Sequence, residues 1–265
     1  MHPIERLRFV ARSQGAPADL LVGESAMALA AFRDDPPGLV AACRRIVDRQ
    51  LTCAPLWWLC ARMLTAPDPF AEASDAVAAV ESDPTARHLA RELPDSVSMV
   101  VVGWPAQGMA ALRRRGDVAV VVVDVDGDAY QVERELAHAG VEVDVVEPRG
   151  VAVAVAGAGL VVLDALAVGP ESALVPAGSA AAAAVARQLG TPVWLVAGAG
   201  RLLPGRMFEA LVDRWSQGTD PLGAAEELLP LSWCDRLAGT TGVVEVADGL
   251  GATDCPVAPE LFRLA

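Results

Sequence analysis

Two periods of hydrophobicity divide the chain. From Asp19 to about residue 93, small and apolar residues recur every three or four positions in DLLVGESAMALAAFRDD, PPGLVAACRRIVDRQL and CAPLWWLCARMLTA. That is the spacing of helices burying one face. Prolines punctuate the stretch. Pro36-Pro37, Pro55, Pro67, Pro69 and Pro84 fall where helices start or stop, with Asp68 and Asp83 beside them as candidate N-caps. Trp57, Trp58 and Met63 suggest either a ligand pocket or, more economically, helical packing against the following domain.

After Pro94 the apolar runs shorten and become β-branched. SMVVVG (98–103), VAVVVV (118–123), VEVDVV (141–146), LVVLDA (160–165) and PVWLVA (192–197) predict strands, and runs apolar throughout fit strands covered on both faces. The helical segments AQGMAALRRRG and AYQVERELAHAG separate the first three, and each ends in Gly as helix C-termini often do. Strands alternating with helices in this way predict right-handed βαβ units in a parallel sheet. The expected fold is therefore α/β, a helical N-terminal domain over 1–95 followed by a Rossmann-like parallel-sheet domain over 96–265. Beyond Trp215, DPLGAAEELLPL reads as a helix or lid, and TGVVEVADG as a late strand or hairpin.

Composition narrows the function classes. The chain of 265 residues is 53% hydrophobic, but its most apolar stretch, VAVAVAGAGLVVLDALAV, is broken by Gly157, Gly159 and Asp164 before it can span a bilayer. MHPIERLRFVARSQ lacks the apolar centre of a secretory signal, so a soluble, cytoplasmic protein without a membrane partner is expected. A formal charge of -13 argues against nucleic acid, and the compact basic cluster Arg113-Arg114-Arg115 reads as a solvated helix end. Cys43, Cys53, Cys60, Cys234 and Cys255 show no CxxC spacing, and His2, His88 and His138 are scattered, so neither a disulfide framework nor a metal site is expected. All 21 basic side chains are arginine, as a GC-rich genome would favour. Whatever its origin, the bias excludes a Schiff-base lysine, a lysine general base and the lysine of a phosphate loop.

Candidate chemistry lies in the loops after the strands, where open α/β sheets bind ligands. Neither Gly103-Trp104-Pro105-Ala106-Gln107-Gly108 nor Gly198-Ala199-Gly200 has dinucleotide-loop spacing, and no cofactor is expected. DVDGD (124–128) is a truncated calcium loop or, preferably, a polar turn with Asp128 capping the next helix. Gly178-Ser179 opens a run of five alanines, and a helix start suits phosphate because its N–H groups are unpaired. Ser179 there either donates its hydroxyl to a ligand or simply caps the helix. Gly103 belongs to the same edge, and Arg201 and Arg206 follow the next strand as candidate anion partners.

The order of these elements resembles the initiation factor 2B alpha/beta/delta family. The residues that carry the likeness are VVVGWPAQGMAALRRRGDVAVVVVD, ELAHAGVEVDVVEPRGVAVAVAGAGLVVLDALAV and LVPAGSAAAAAVARQLGTPVWLVAGAGR. It extends over about 20–208 and is strongest over 97–208. The family includes regulatory subunits of the eukaryotic exchange complex, methylthioribose-1-phosphate isomerase and ribose-1,5-bisphosphate isomerase. The resemblance implies a helical N-terminal domain, a Rossmann-like C-terminal domain and a homo-oligomer, most simply a dimer. It also implies departures. The family's Thr-His-Cys-Asn loop falls on Val102-Gly103-Trp104-Pro105, without the isomerases' catalytic cysteine. Asp164 meets the family's acidic position with a one-residue shift. The family's Asn-Lys-Ile-Gly-Thr becomes Val175-Pro176-Ala177-Gly178-Ser179, and Arg201 stands near a segment that often carries lysine.

The expectation is a noncatalytic sugar-phosphate- or nucleotide-binding regulatory or assembly module. One alternative is a divergent aldose-ketose isomerase using Asp164 as its catalytic acid-base with an unrecognised partner; Cys53 or Cys60 could approach from the helical domain, but they read more simply as buried, inert thiols. Another is a structural interaction protein whose pocket is filled by its own side chains, Trp104 and Trp194.

Overall fold

APLWWLCARMLT is apolar on nearly every side, and a helix of that kind has to be buried. In the computed structural model, which describes residues 3–13, 15–125, 127 and 129–262, it forms helix α4 (Ala54–Thr65), with Trp57, Trp58, Leu59 and Cys60 buried. Around it, α1 (Pro3–Arg12), α2 (Ala18–Leu29), α3 (Pro36–Arg49) and α5 (Pro69–Glu81) build the helical part of a first unit. Asp35 caps α3 through the Gly38 N–H, and Asp68 caps α5 through the Phe70 and Ala71 N–H groups, each ahead of a proline in the first turn.

This unit is assembled from three stretches of chain. Residues up to Asp83 are joined by Ala199–Thr219, containing α11 (Gly205–Gly218), and by the residues from Thr253 onward. The returning stretches explain the two tryptophans. Trp58 donates its indole N–H to Asp254 at 2.9 Å, Gly200 packs on its ring, and Arg214 of α11 lies 5.0 Å above Trp57. Their packing partners are thus inside the first unit. Pro84 takes the N-cap position of helix α6 (Thr85–Glu92), and the Asp83 carboxylate ahead of it accepts the Ala199 N–H at 2.8 Å.

The second unit runs from Pro84 to Gly198 and from Asp220 to Ala252. In chain order it contains α6 (Thr85–Glu92), β1 (Ser98–Val102), α7 (Ala106–Leu112), β2 (Ala119–Val123), α8 (Ala129–His138), β3 (Glu142–Val146), α9 (Val151–Ala156) and β4 (Leu160–Asp164). There follow β5 (Ala167–Val168), β6 (Ser172–Pro176), α10 (Ser179–Leu189), β7 (Val193–Val196), β8 (Glu226–Pro230), β9 (Arg236–Gly239), β10 (Gly242–Glu245) and α12 (Val246–Leu250).

The main sheet has the order β10-β9-β7-β4-β1-β2-β3, parallel throughout except for β10, which pairs antiparallel with β9. All five strands predicted from the sequence are present in it. β1 and β4 are buried almost completely, as apolar runs between two helical layers must be, whereas β3, at the sheet edge, is half exposed. TGVVEVADG contributes β10 and closes a hairpin with β9. Trp104 and Trp194 belong to the core on this sheet, and the Arg236 guanidinium lies 5.6 Å from the Trp194 ring.

One segment departs from its expected form. The end of DPLGAAEELLPL is strand β8, which pairs antiparallel with β6 in a second, three-stranded sheet of order β5-β6-β8. Glu and Leu favour helix locally, but pairing from Ser172↔Pro230 to Pro176↔Glu226 and burial of Leu229 override that preference.

Of the arginine cluster, Arg113 and Arg114 are exposed at the end of α7, and Arg115 is tied down. Arg115 donates to the Ala90, Leu93 and Pro94 carbonyls at the end of α6 and to the Asp95 and Asp117 carboxylates. Together with the Ser96 N–H, it holds the Asp117 carboxyl well below the usual carboxylate range. Arg113 pairs with Glu135.

Candidate functional site

The strand order reverses between β1 and β4, since the chain runs outward through β2 and β3 before crossing back. Such a switch point opens a crevice at the carboxyl ends of the strands. Val102 and Gly103 end β1 there, and Asp164 ends β4. Gly103 has φ +63° and donates its N–H to the Val123 carbonyl at 3.0 Å, turning the chain out of the sheet.

Gly178 comes to the same edge. Its φ is +93°, and a Cβ placed on it would lie 3.1 Å from Val125 Cγ1 and 3.6 Å from Val102 Cγ1. Only glycine combines that backbone with so close an approach to the ends of β1 and β2. Gly178 is the N-cap of α10, whose Ala182, Ala183 and Ala186 are fully buried on the slim face toward the sheet.

Ser179 is the first residue of α10 and caps nothing. Its hydroxyl is buried, the residue being 1% exposed, and has no hydrogen-bond partner among the described residues. The next amide is occupied: Ala180 N–H donates to the Glu227 carboxylate on β8 at 2.7 Å. Pattern reading along the chain does not find Glu227, because only the β6–β8 pairing, with Val175 opposite Glu227, brings it to this helix.

Asp164 has structural work at the crevice. It is 7% exposed, and one carboxylate oxygen accepts the Gln107 N–H at 3.0 Å, holding the first turn of α7 against the end of β4. Gly108 follows in that turn, where a Cβ would press on Pro105 Cβ at 3.1 Å and make only ordinary contact, 3.5 Å, with the other carboxylate oxygen.

The second unit therefore gathers Gly103, Asp164, Gly178 and Ser179 at one edge of its sheet. Arg201 and Arg206 are built into the first unit, where Arg206 lies 5.4 Å from the Phe262 ring. In DVDGD, Asp124 accepts the Gly127 N–H at 2.8 Å in a polar turn, while Asp126 and Asp128 lie outside the described residues, as does His2.

The thiols are poor nucleophiles. Burial pushes Cys53 up to about 11 and both Cys234 and Cys255 up to about 12, and Cys60 is raised by its hydrogen bond to Cys43 and then by burial. Cys53 and Cys60 both lie in the first unit. Folding thus favours the protonated thiols. Their stabilising contribution is complete below the unfolded thiol value of about 8.5 and is lost as pH rises through about 11. We expect native protein at pH 8 to react slowly with a disulfide reagent and all five thiols to react once it is unfolded. Rapid reaction of one native thiol would contradict this environment.

The fold is shared with known structures. A Pyrococcus horikoshii OT3 translation initiation factor eIF-2B superposes with a TM-score of 0.77 over 94% of this chain and 98% of that one, at 13% identity. The chain has the initiation factor 2B fold. The eIF2B beta structure from Chaetomium thermophilum shares that fold with a TM-score of 0.73 at 15% identity, over 99% of this chain and 93% of the other. The 5-methylthioribose 1-phosphate isomerase of Pyrococcus horikoshii OT3 does so with a TM-score of 0.66 at 13% identity, over 94% and 87% of the two chains. No protein-family model and no curated protein sequence matches the chain. The initiation factor 2B fold therefore rests on shape, and no helix among the described residues is long and apolar enough to cross a membrane.

Proposed function

We propose that the chain is a divergent, noncatalytic member of the initiation factor 2B family. In this reading it is a cytoplasmic homo-oligomer, most simply a dimer, that binds a sugar phosphate or nucleotide at the start of α10 and acts as a regulatory or assembly module. The observation that carries the reading is the Ser179 hydroxyl, buried and unpartnered on the first residue of a helix entered through a left-handed glycine. A buried hydroxyl without a partner costs about 1–3 kcal/mol, and a phosphate oxygen at a helix start is the acceptor such a donor suits. Gly103 and Gly178 keep side chains away from the same edge. The noncatalytic part is supported by Trp104-Pro105 where the isomerases carry their thiol, by Asp164 accepting the Gln107 N–H, and by thiols held protonated.

Ser179→Ala separates this reading from a purely structural one. Without ligand the variant is expected to be more stable than wild type by about 1 kcal/mol, because an unsatisfied buried hydroxyl has gone. Thermal stabilisation by sugar phosphates or nucleoside monophosphates is expected in wild type and diminished in the variant. A panel that stabilises neither protein would remove the ligand from the proposal.

A divergent isomerase is the second reading, favoured by Asp164 standing at the switch point. It requires turnover of methylthioribose 1-phosphate or ribose 1,5-bisphosphate that Asp164→Asn abolishes. Absence of turnover in the wild type rejects it.

A further inference from the structure

The start of α10 already holds an anion. Glu227 reaches it from β8, an edge strand of the three-stranded sheet, and accepts the Ala180 N–H at 2.7 Å. A carboxylate there satisfies one of the free donors of the helix start and is favoured by the positive end of the helix dipole. It leaves the Ser179 hydroxyl on the same turn, 1% exposed, without an acceptor among the described residues. A phosphate monoester brings three acceptor oxygens and about 1.5 to 2 negative charges to that turn, enough to engage both donors but too much charge to sit beside a bound carboxylate.

We propose that Glu227 is an internal competitor for the phosphate seat, so that anion binding is an exchange in which the carboxylate leaves the Ala180 N–H as the phosphate takes it. The inference rests on the phosphate reading above and adds its regulation. Glu227 is only partly buried, so its side chain reaches water while β8 stays paired with β6. Events that draw Glu227 away open the seat, and events that hold β8 in place keep it closed.

Titration calorimetry with inorganic phosphate tests the proposal on the full chain. Glu227→Gln keeps the size of the side chain and removes its charge, and it is expected to bind phosphate at least about tenfold more tightly than wild type. Glu227→Ala is expected to do the same, and Glu227→Gln/Ser179→Asp to lose the gain. Equal affinity in wild type and both single variants overturns the competitor while leaving the seat. No binding by any protein overturns both. The wild type alone supplies a further measurement should the variants fold poorly. Saturating phosphate is expected to shift the Ala180 amide resonance, and an unmoved amide at saturation overturns the exchange.

Discussion

Gly200→Ala is expected to destabilise the first unit by about 3–4 kcal/mol, from the summed costs of left-handed backbone and overpacking. Gly200 has φ +74°, and a Cβ on it would come within 2.8 Å of Trp58 Cε3 and 3.1 Å of Pro55 Cα. Neither neighbour has room to give. Trp58 is 1% exposed and fixed by its indole bond to Asp254, and the atom at Pro55 is backbone. Gly15 supplies the control. It lies in the same unit with φ +72° and nothing within 4 Å of a Cβ. Gly15→Ala therefore bears the backbone strain alone, about 1 kcal/mol. Chemical denaturation of the two variants separates strain from crowding, and equal losses would mean that the Trp58 contact is not tight.

Arg214→Met is the second large effect, with an expected loss of about 3–5 kcal/mol, the range for removing one member of a buried ion pair. The Arg214 side chain is 8% exposed and pairs with Asp48 on α3 at 2.8 Å. It also donates to the Leu261 carbonyl and covers Trp57 of α4. One guanidinium thus joins α11, α3, α4 and the turn near residue 261. Burial lowers its pKa despite the opposing attraction of Asp48, so the guanidinium bears a desolvation cost that grows if a partner is lost. Lysine cannot supply the planar fork, so Arg214→Lys is expected to recover little. Adding Asp48→Leu to Arg214→Met removes the carboxylate left behind and is expected to restore part of the loss. A double variant as unstable as the single one would show that the guanidinium acts through packing on Trp57 instead.

Local pattern carried much of the second unit. The valine-rich runs and their glycine-ended helices define five strands of the parallel sheet, because such strands are selected by burial on both faces and that burial is written in consecutive residues. The Gly178-Ser179 turn was readable for a similar reason, as left-handed backbone leaves glycine as its mark. What local pattern lacked was pairing between distant segments. EELLP has helix-forming residues, and only Ser172–Pro176 across from it makes it a strand. The contact of Glu227 with the Ala180 N–H depends on that register, so half of the proposed phosphate seat is hidden with it. Asp164 was visible as a polar residue ending an apolar strand, but its bond to the Gln107 N–H depends on where α7 begins. Asp83 shows the same limit: its place beside a proline gives no sign of its bond to the Ala199 N–H, 116 positions away.

The three-part make-up of the first unit has a consequence for how the protein is born. A ribosome releases α1 to α5 first, yet Trp58 lacks its partner Asp254 and Trp57 its covering Arg214 until those residues have been synthesised. Meanwhile β1, α7, β2, α8, β3, α9 and β4 emerge in succession and supply four adjacent strands of the parallel sheet. The nascent chain therefore waits with its most aromatic helix unfinished, and for that interval Trp57 and Trp58 are the surface a chaperone would meet.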